Sequence, residues 1–293
     1  MRIAVYGKAF TLDARPYVEG LYKRLVAENV TLALYSRLDS FLKEHCEWEA
    51  NYPIFKDHKD LANFAPDVLI TIGGDGTILD AVTLVRNTGI PVLGINTGRL
   101  GFLANVAKEE IGQAISKLLA GNYSINERST LMVTTSLENQ PDPNFALNEV
   151  TVSRKDTTSM ITVHTYINGE YLNSYWADGL IIATPTGSTG YSLSCGGPIM
   201  MPGSQNFVLT PIAPHNLTVR PFVIPSDFKI RLKIESREND YLASIDSRSY
   251  SYNSEVELFL QRSETRIKLI QTDLQDFPAT LRNKLMWGLD RRN

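Results

Sequence analysis

One segment limits what this chain can fold into more than any other. Val68-Leu69-Ile70-Thr71-Ile72 runs directly into Gly73-Gly74-Asp75-Gly76-Thr77. The first five residues are apolar without alternation, which suits a strand covered on both faces, as in a parallel sheet. Beyond the glycines, Ile78, Leu79, Val82 and Val85 recur at helical spacing, predicting a helix over Thr77–Arg86. A buried strand, a glycine turn and a helix in succession belong to an α/β sheet, whose ligands sit beyond the carboxyl ends of the strands. The neighbouring segments read the same way. Strands are expected at 2–6, 30–35 and 91–96, and helices at 14–28 and 108–120, the latter stopped by Gly121.

The pattern changes near residue 127. Strand-like runs follow at 130–136, 145–153, 160–167, 179–184, 207–212, 228–236, 241–246, 255–261 and 266–272, with Asn168-Gly169 as a hairpin turn. Pro278 to Leu289 is helical again. The fold class is therefore an α/β N-terminal domain with a parallel sheet (1–127), then a β-rich C-terminal domain (128–272), then a C-terminal segment (273–293).

Composition removes several function classes. The formal net charge of -3 gives no basic excess for nucleic acid or an anionic membrane. No run approaches the ~18 apolar residues of a membrane span, and MRIAVYGKAF lacks the pattern of a secretory leader. Cys46 and Cys195 match no CxxC and suit a reducing, cytoplasmic setting. His45, His58, His164 and His215 have no metal-ligand spacing, so no protein metal cage is expected.

The chemistry of the glycine turn follows from its atoms. Gly73, Gly74 and Gly76 let backbone amides approach phosphate oxygens, and a helix N-terminus beginning near Thr77 adds partial positive charge. A carboxylate there opposes phosphate. Asp75 either accepts a proton or organises a metal ion at the phosphates, or it caps the helix. Asn caps helices about as well as Asp, so Asp75→Asn is expected to change stability little, and the capping alternative implies near-normal turnover in that variant. Neither GxGxxG after the first strand nor GxxxxGK[ST] is present, which disfavours a Rossmann dehydrogenase and a P-loop enzyme. A second glycine cluster, DGLIIATPTGSTGYSLSCGGP at 178–198, takes a strand into a turn of small hydroxyl residues. Taken alone, it is either a nucleotide-contacting turn or a tight turn that ends a strand.

GGDGT at 73–77, NTGRLGFLA at 96–104, Asn148-Glu149, the 178–198 segment and PIAPHNLTVRP at 211–221 together resemble the NAD kinase family, in the same order and along nearly the whole chain. The resemblance implies transfer of the ATP γ-phosphate to the adenosine-ribose 2′-hydroxyl of NAD, with Mg²⁺ or another divalent cation arriving with ATP. It assigns Asp75 as proton acceptor with Gly76 beside NAD, and Gly73, Gly74, Gly76 and Thr77 as the phosphate loop. Asn148 and Glu149 map to the adenosine contacts, Asp178 to the nicotinamide end, and Thr189, Gly190, Tyr191, Ser192, Leu193 and Ser194 to the turn around the nucleotide. Trp176 either walls the pocket or sits in the core, and Phe102 either lies near adenine or does the same. Ser159 maps to an NAD contact. Family members often read Asp-Gly-Gln or Asp-Gly-Arg where this chain has Asp246-Ser247-Arg248, with Arg248 expected to meet a phosphate or the nucleotide. His215 reads as a hydrogen-bonded turn residue in preference to a catalytic base. The resemblance also implies a final segment that packs on the first domain, and a homodimer or homotetramer. A lipid kinase with the same GGDGT loop and a non-catalytic dinucleotide sensor are the competing readings.

Overall fold

The computed structural model of the chain describes residues 1–46, 51–98, 101–155, 159–272 and 276–286. In chain order the first elements are β1 (Arg2–Tyr6), α1 (Arg15–Ala27), β2 (Thr31–Tyr35), α2 (Ser36–His45), β3 (Ile54–Phe55) and α3 (His58–Phe64). Then come β4 (Val68–Gly73), α4 (Asp75–Val85), β5 (Val92–Asn96), β6 (Val106–Ala107), α5 (Ile111–Leu119) and β7 (Ser124–Thr135). Next are β8 (Phe145–Ala146), β9 (Glu149–Ser153), β10 (Ile161–Ile167), β11 (Glu170–Ala177), β12 (Gly179–Ala183) and α6 (Tyr191–Ser194). The last are β13 (Asn206–Ile212), β14 (Phe222–Pro225), β15 (Ile230–Glu235), β16 (Asp240–Ile245), β17 (Arg248–Asn253), β18 (Leu258–Gln271) and α7 (Phe277–Leu285).

The chain forms two compact units, residues 1–127 with 267–293, and residues 128–266. In the first unit β5, β4, β1, β2 and β3 lie side by side, all parallel, and Leu269 near the end of β18 pairs in parallel with Val92 of β5. Ile70, Ile72, Leu93 and Ile95 pack with Leu21, Leu25, Ile115 and Leu118 of α1 and α5 in one core. The unpatterned VLITI run is fully buried, as a two-sided parallel strand requires. The sheet has a topological switch: β1 leads outward to β2 and β3, whereas β4 lies on its other side. The C-terminal helix α7 belongs to this unit.

The second unit is antiparallel. One sheet runs β14-β13-β12-β9-β16-β17, and β10 pairs with both β11 and β15 in another. Leu180 and Ile182 of the first sheet share one core with Val163, Leu232 and Leu260 of the second. The β10–β11 turn has Asn168 at φ 52° and Gly169 at φ 89°, the two positive angles of a type I′ hairpin.

Several elements depart from expectation. The helix after the glycine turn starts at Asp75 rather than Thr77. The strands expected at 255–261 and 266–272 are one continuous strand, β18. The helices α2 and α3 and the strands β11, β14 and β17 carry no counterpart in the sequence expectation. The expected helix 278–289 is observed as Phe277–Leu285, and residues 287–289 lie outside the described residues.

Candidate functional site

In the first unit, β4 ends at Gly73 and α4 begins at Asp75, so a single residue turns the chain. Gly73 has φ +151°, and a Cβ there would stand 2.1 Å from Thr77 Oγ1, so only glycine fits. No side chain caps α4, so its first-turn amides are the donors a helix start offers to an anion. A cleft of about 500 Å³ opens at this edge, lined by Phe10, Thr11, Gly73, Gly74, Thr77 and Asn96 among others. These residues follow or end β1, β4 and β5, which places the cleft at the switch point of the sheet.

The Asp75 side chain caps nothing. Its Oδ2 accepts from the Phe102 amide at 2.8 Å, and its Oδ1 accepts from Leu103 at 3.0 Å and Ala104 at 2.9 Å. This overturns the expectation that Asn is neutral at position 75. One amide oxygen cannot serve three N–H groups spread over two acceptors. Two acceptor positions and a full negative charge make the loop at 102–104 close on the start of α4. Lys284 of α7 places Nζ 3.9 Å from Asp75 Oδ2 and 4.4 Å from the centre of the Phe102 ring. Phe277 packs on the same ring with centroids 6.2 Å apart. Phe102 is half-buried between these groups and is not part of the core cluster around β4 and β5.

In the second unit the same arrangement recurs. Asp246 sits at φ 50°, in the turn between β16 and β17. Its Oδ2 accepts from the Leu147 amide at 2.8 Å, and its Oδ1 accepts from Asn148 at 2.8 Å and Glu149 at 3.2 Å. The Asp246 amide donates back to the Glu149 carbonyl at 3.0 Å. Main-chain bonds continue the construction: Thr184 N–H donates to the Asn148 carbonyl at 2.9 Å, and Thr184 Oγ1 donates to the Leu147 carbonyl at 2.6 Å. Asn148-Glu149 is thus fixed between the β16–β17 turn and the end of β12.

Two buried acceptors remain open on this pair. Asn148 Oδ1 and Glu149 Oε2 have no hydrogen-bond partner in the protein, the condition of atoms arranged for a ligand. A methyl at Gly190 would stand 3.3 Å from Glu149 Oε2, so the 187–190 turn lies against the Glu149 carboxyl. Burial, then the Asp246 charge, pushes the Glu149 carboxyl from its ordinary 4.5 up to about 8. Burial also raises Asp246, against the pull of its three amides and of Arg248.

The other expected site residues fall into two groups. Tyr191 and Ser194 are exposed on α6, and Thr189, Gly190 and Leu193 are half-buried beside them. Trp176 is 49% exposed, so the core alternative for it fails. Its ring lies 4.2 Å from that of His215, whose amide donates to the Trp176 carbonyl. Asp178 pairs with Arg154 at 3.1 Å, and Ser159 is half-buried. Ser192 differs: it is fully buried and its Oγ meets Thr210 Oγ1 at 2.8 Å, so its side chain supports the turn from inside. Arg248 differs too. Its guanidinium donates to the carbonyls of Pro143 and Phe145, which makes it a fastening for the approach to Asn148 before any role toward phosphate. Asp246 is the residue whose function sequence reasoning missed. Its signal was slight: an Asp at the end of the strand expected at 241–246 tolerates a positive φ.

Comparison with known proteins places this geometry. Residues 12–123 match the ATP-NAD kinase N-terminal domain and residues 147–272 match the ATP-NAD kinase C-terminal domain. The chain is 50% identical to the NAD kinase of Flavobacterium psychrophilum and 42% identical to that of Cytophaga hutchinsonii, in each case over all of both chains. Among solved structures, the yeast NADH kinase complexed with NADH has a TM-score of 0.89 at 24% identity, covering 99% of this chain and 88% of its own. The NAD kinase from Archaeoglobus fulgidus in complex with ATP has a TM-score of 0.74 at 25% identity, covering 93% and 94%. Likeness of this extent separates the chain from GGDGT lipid kinases and from non-catalytic sensors. It belongs to the NAD kinase family, and it is a kinase.

Proposed function

We propose that the chain carries out its family's reaction through Asp75. The NAD 2′-oxygen attacks the γ-phosphorus of ATP in line, the bond from that phosphorus to the bridging oxygen breaks, and ADP leaves. The 2′-hydroxyl proton passes to the Asp75 carboxylate. The observation that carries this reading is the hold on that carboxylate: three amides orient it beside a glycine-lined cleft, and Oδ2, with one amide donor, keeps a lone pair for the proton. Gly73, Gly74, Gly76 and Thr77 form the phosphate loop. Positioning and charge stabilisation do most of the work in such a transfer.

Adenosine is assigned to Asn148 and Glu149, whose unpartnered oxygens favour a ligand rich in N–H and O–H donors. Tyr191, with Thr189, Gly190, Leu193 and Ser194, borders it, and Trp176, Asp178, Ser159 and Phe102 complete the NAD contacts. Ser192 and Arg248 serve that surface by holding it in place. A loop of glycine amides suits a divalent cation that arrives already bound to ATP and keeps its waters. When bound, such an ion would neutralise the phosphates. Among the described residues no helix is long and apolar enough to cross a membrane. Two free thiols, Cys46 and Cys195, suit the cytoplasm. A homodimer or homotetramer completes the proposal. The test is a coupled assay with ATP and NAD, read through an NADP-specific dehydrogenase. Signal that vanishes with EDTA and returns with Mg²⁺ or Mn²⁺ is expected. No NADP from the metal-replete enzyme would overturn it.

A further inference from the structure

We propose that Lys284, near the end of the C-terminal helix α7, is a catalytic residue: the cation that meets the γ-phosphate as it is transferred. The proposal rests on the reading of Asp75 as proton acceptor. A transferring phosphoryl group needs positive charge at its equatorial oxygens. A P-loop would supply it with a lysine of its own, but this chain has no GxxxxGK[ST]. The glycine turn that replaces it contributes amides and a carboxylate, and no cation.

Four other lysines of the first unit are committed elsewhere. Lys8 is paired with Asp80 at 2.6 Å, Lys43 with Asp39 at 2.9 Å, and Lys108 with Asp13. Lys117 donates to the Thr272 carbonyl at 2.6 Å. Lys284 is held differently. Its ammonium stands over the Phe102 ring at 4.4 Å, an attraction that fixes the side chain without using its hydrogen-bond donors. It is 3.9 Å from Asp75 Oδ2, too far for a hydrogen bond. Three N–H donors are therefore poised beside the carboxylate. The helix is itself anchored: the Asp276 side chain caps it through the Ala279 amide at 2.6 Å, and Phe277 packs on Phe102. Phe102 joins both parts, since its amide binds Asp75 while its ring carries Lys284.

A phosphate arriving next to Asp75 meets a negative charge, and Lys284 offsets it. As the 2′-hydroxyl proton moves to Asp75, that carboxylate loses its charge and the ammonium is released toward the phosphate oxygens. The cation thus counts for more in the transition state than in the ground state, which is where it accelerates the reaction.

The test is Lys284→Met, which keeps the stem over Phe102 and removes the charge, beside Lys284→Arg and Asp75→Asn in the full-length chain. In Lys284→Met, kcat should fall by about 10- to 10³-fold. NAD affinity and melting temperature should stay at wild-type values, and Lys284→Arg should recover most of the rate. Wild-type turnover in Lys284→Met would overturn the assignment whatever Asp75→Asn does. A loss that Arg does not restore, accompanied by a lower melting temperature, would make Lys284 a structural anchor and overturn it equally. Normal turnover in Asp75→Asn with a slow Lys284→Met would instead remove the reading of Asp75 and leave Lys284 as the phosphate contact.

Discussion

The two units use the same device on different business. In each, one aspartate collects three consecutive backbone amides, one on Oδ2 and two on Oδ1, and so closes a loop distant in sequence. Asp75 does this from the first residue of a helix, at the rim of a cleft region, with an ammonium 3.9 Å away. Asp246 does it from a left-handed turn, where burial works against its charge while its three amides and Arg248 work for it. A carboxylate at the edge of an open cleft can exchange a proton during a reaction. A carboxylate enclosed by amides and protein can only hold shape. Hydrogen-bond count does not distinguish a chemical residue from a scaffolding one; access does.

The comparison predicts unequal responses to equal substitutions. Asp75→Asn should lower kcat by about 10²–10⁴, the scale of a general base. It should also cost stability, on the order of 1–3 kcal/mol, because at least one amide of 102–104 loses its acceptor. Rapid-quench turnover and thermal melting on that variant measure both, and a turnover within a fewfold of wild type would erase the contrast between the two aspartates. Gly101→Ala should come next. A Cβ there would stand 1.8 Å from Asp75 Oδ1, so the loop must shift. The expected result is a loss of kcat of about tenfold or more, since small misplacements cost that much, with NAD titration unchanged.

Asp246→Asn should act on binding instead. The NAD dissociation constant should rise about tenfold, the equivalent of 1.4 kcal/mol, with kcat at saturating NAD close to wild type. A kcat loss as large as that of Asp75→Asn would show that both aspartates serve chemistry. The smallest effect is in pH dependence. With its carboxyl at about 8 rather than 4.5, Glu149 binds its proton more tightly folded than unfolded. Its contribution to stability is therefore full below about pH 4.5 and is lost as pH rises toward 8, with a slope of at most ~1.4 kcal/mol per pH unit. Melting of the ligand-free protein should fall from pH 6 to 8, and Glu149→Gln should flatten that decline. An unchanged slope would remove Glu149 as its source.

Much of this was legible in the sequence, and the failures have physical causes. VLITI announced a two-sided strand because nothing in it alternates. The glycine turn announced a sharp passage from strand to helix because only glycine brings the backbone so close to Thr77. β17, Arg248–Asn253, was invisible because its alternation is of serine and tyrosine rather than aliphatic and charged residues. β18 read as two strands because the polar stretch Gln261–Arg266 interrupts its apolar ends, although pairing carries the backbone through. The clamps were hidden for another reason. The amides that Asp75 binds lie 27 to 29 residues away and those of Asp246 lie 97 to 99 away, and main-chain donors leave no trace in residue type. Ser192 misled for the opposite reason. Its hydroxyl, suited to a nucleotide, turns inward to Thr210.

The first unit is assembled from both sides of an insertion: residues 267–286 return to it after the whole of the second unit. Synthesis therefore imposes an order. While the ribosome is still making residues 128–266, the glycine loop already exists but lacks the strand that pairs with Val92 and the helix that carries Lys284. Domains generally fold as they emerge, so the second unit, with its Asn148-Glu149 surface, can form before the first is complete. On the roles proposed for Asn148, Glu149 and Lys284, a nascent or prematurely terminated chain would hold dinucleotide without consuming ATP, and would become a catalyst once its final turns of helix have been made.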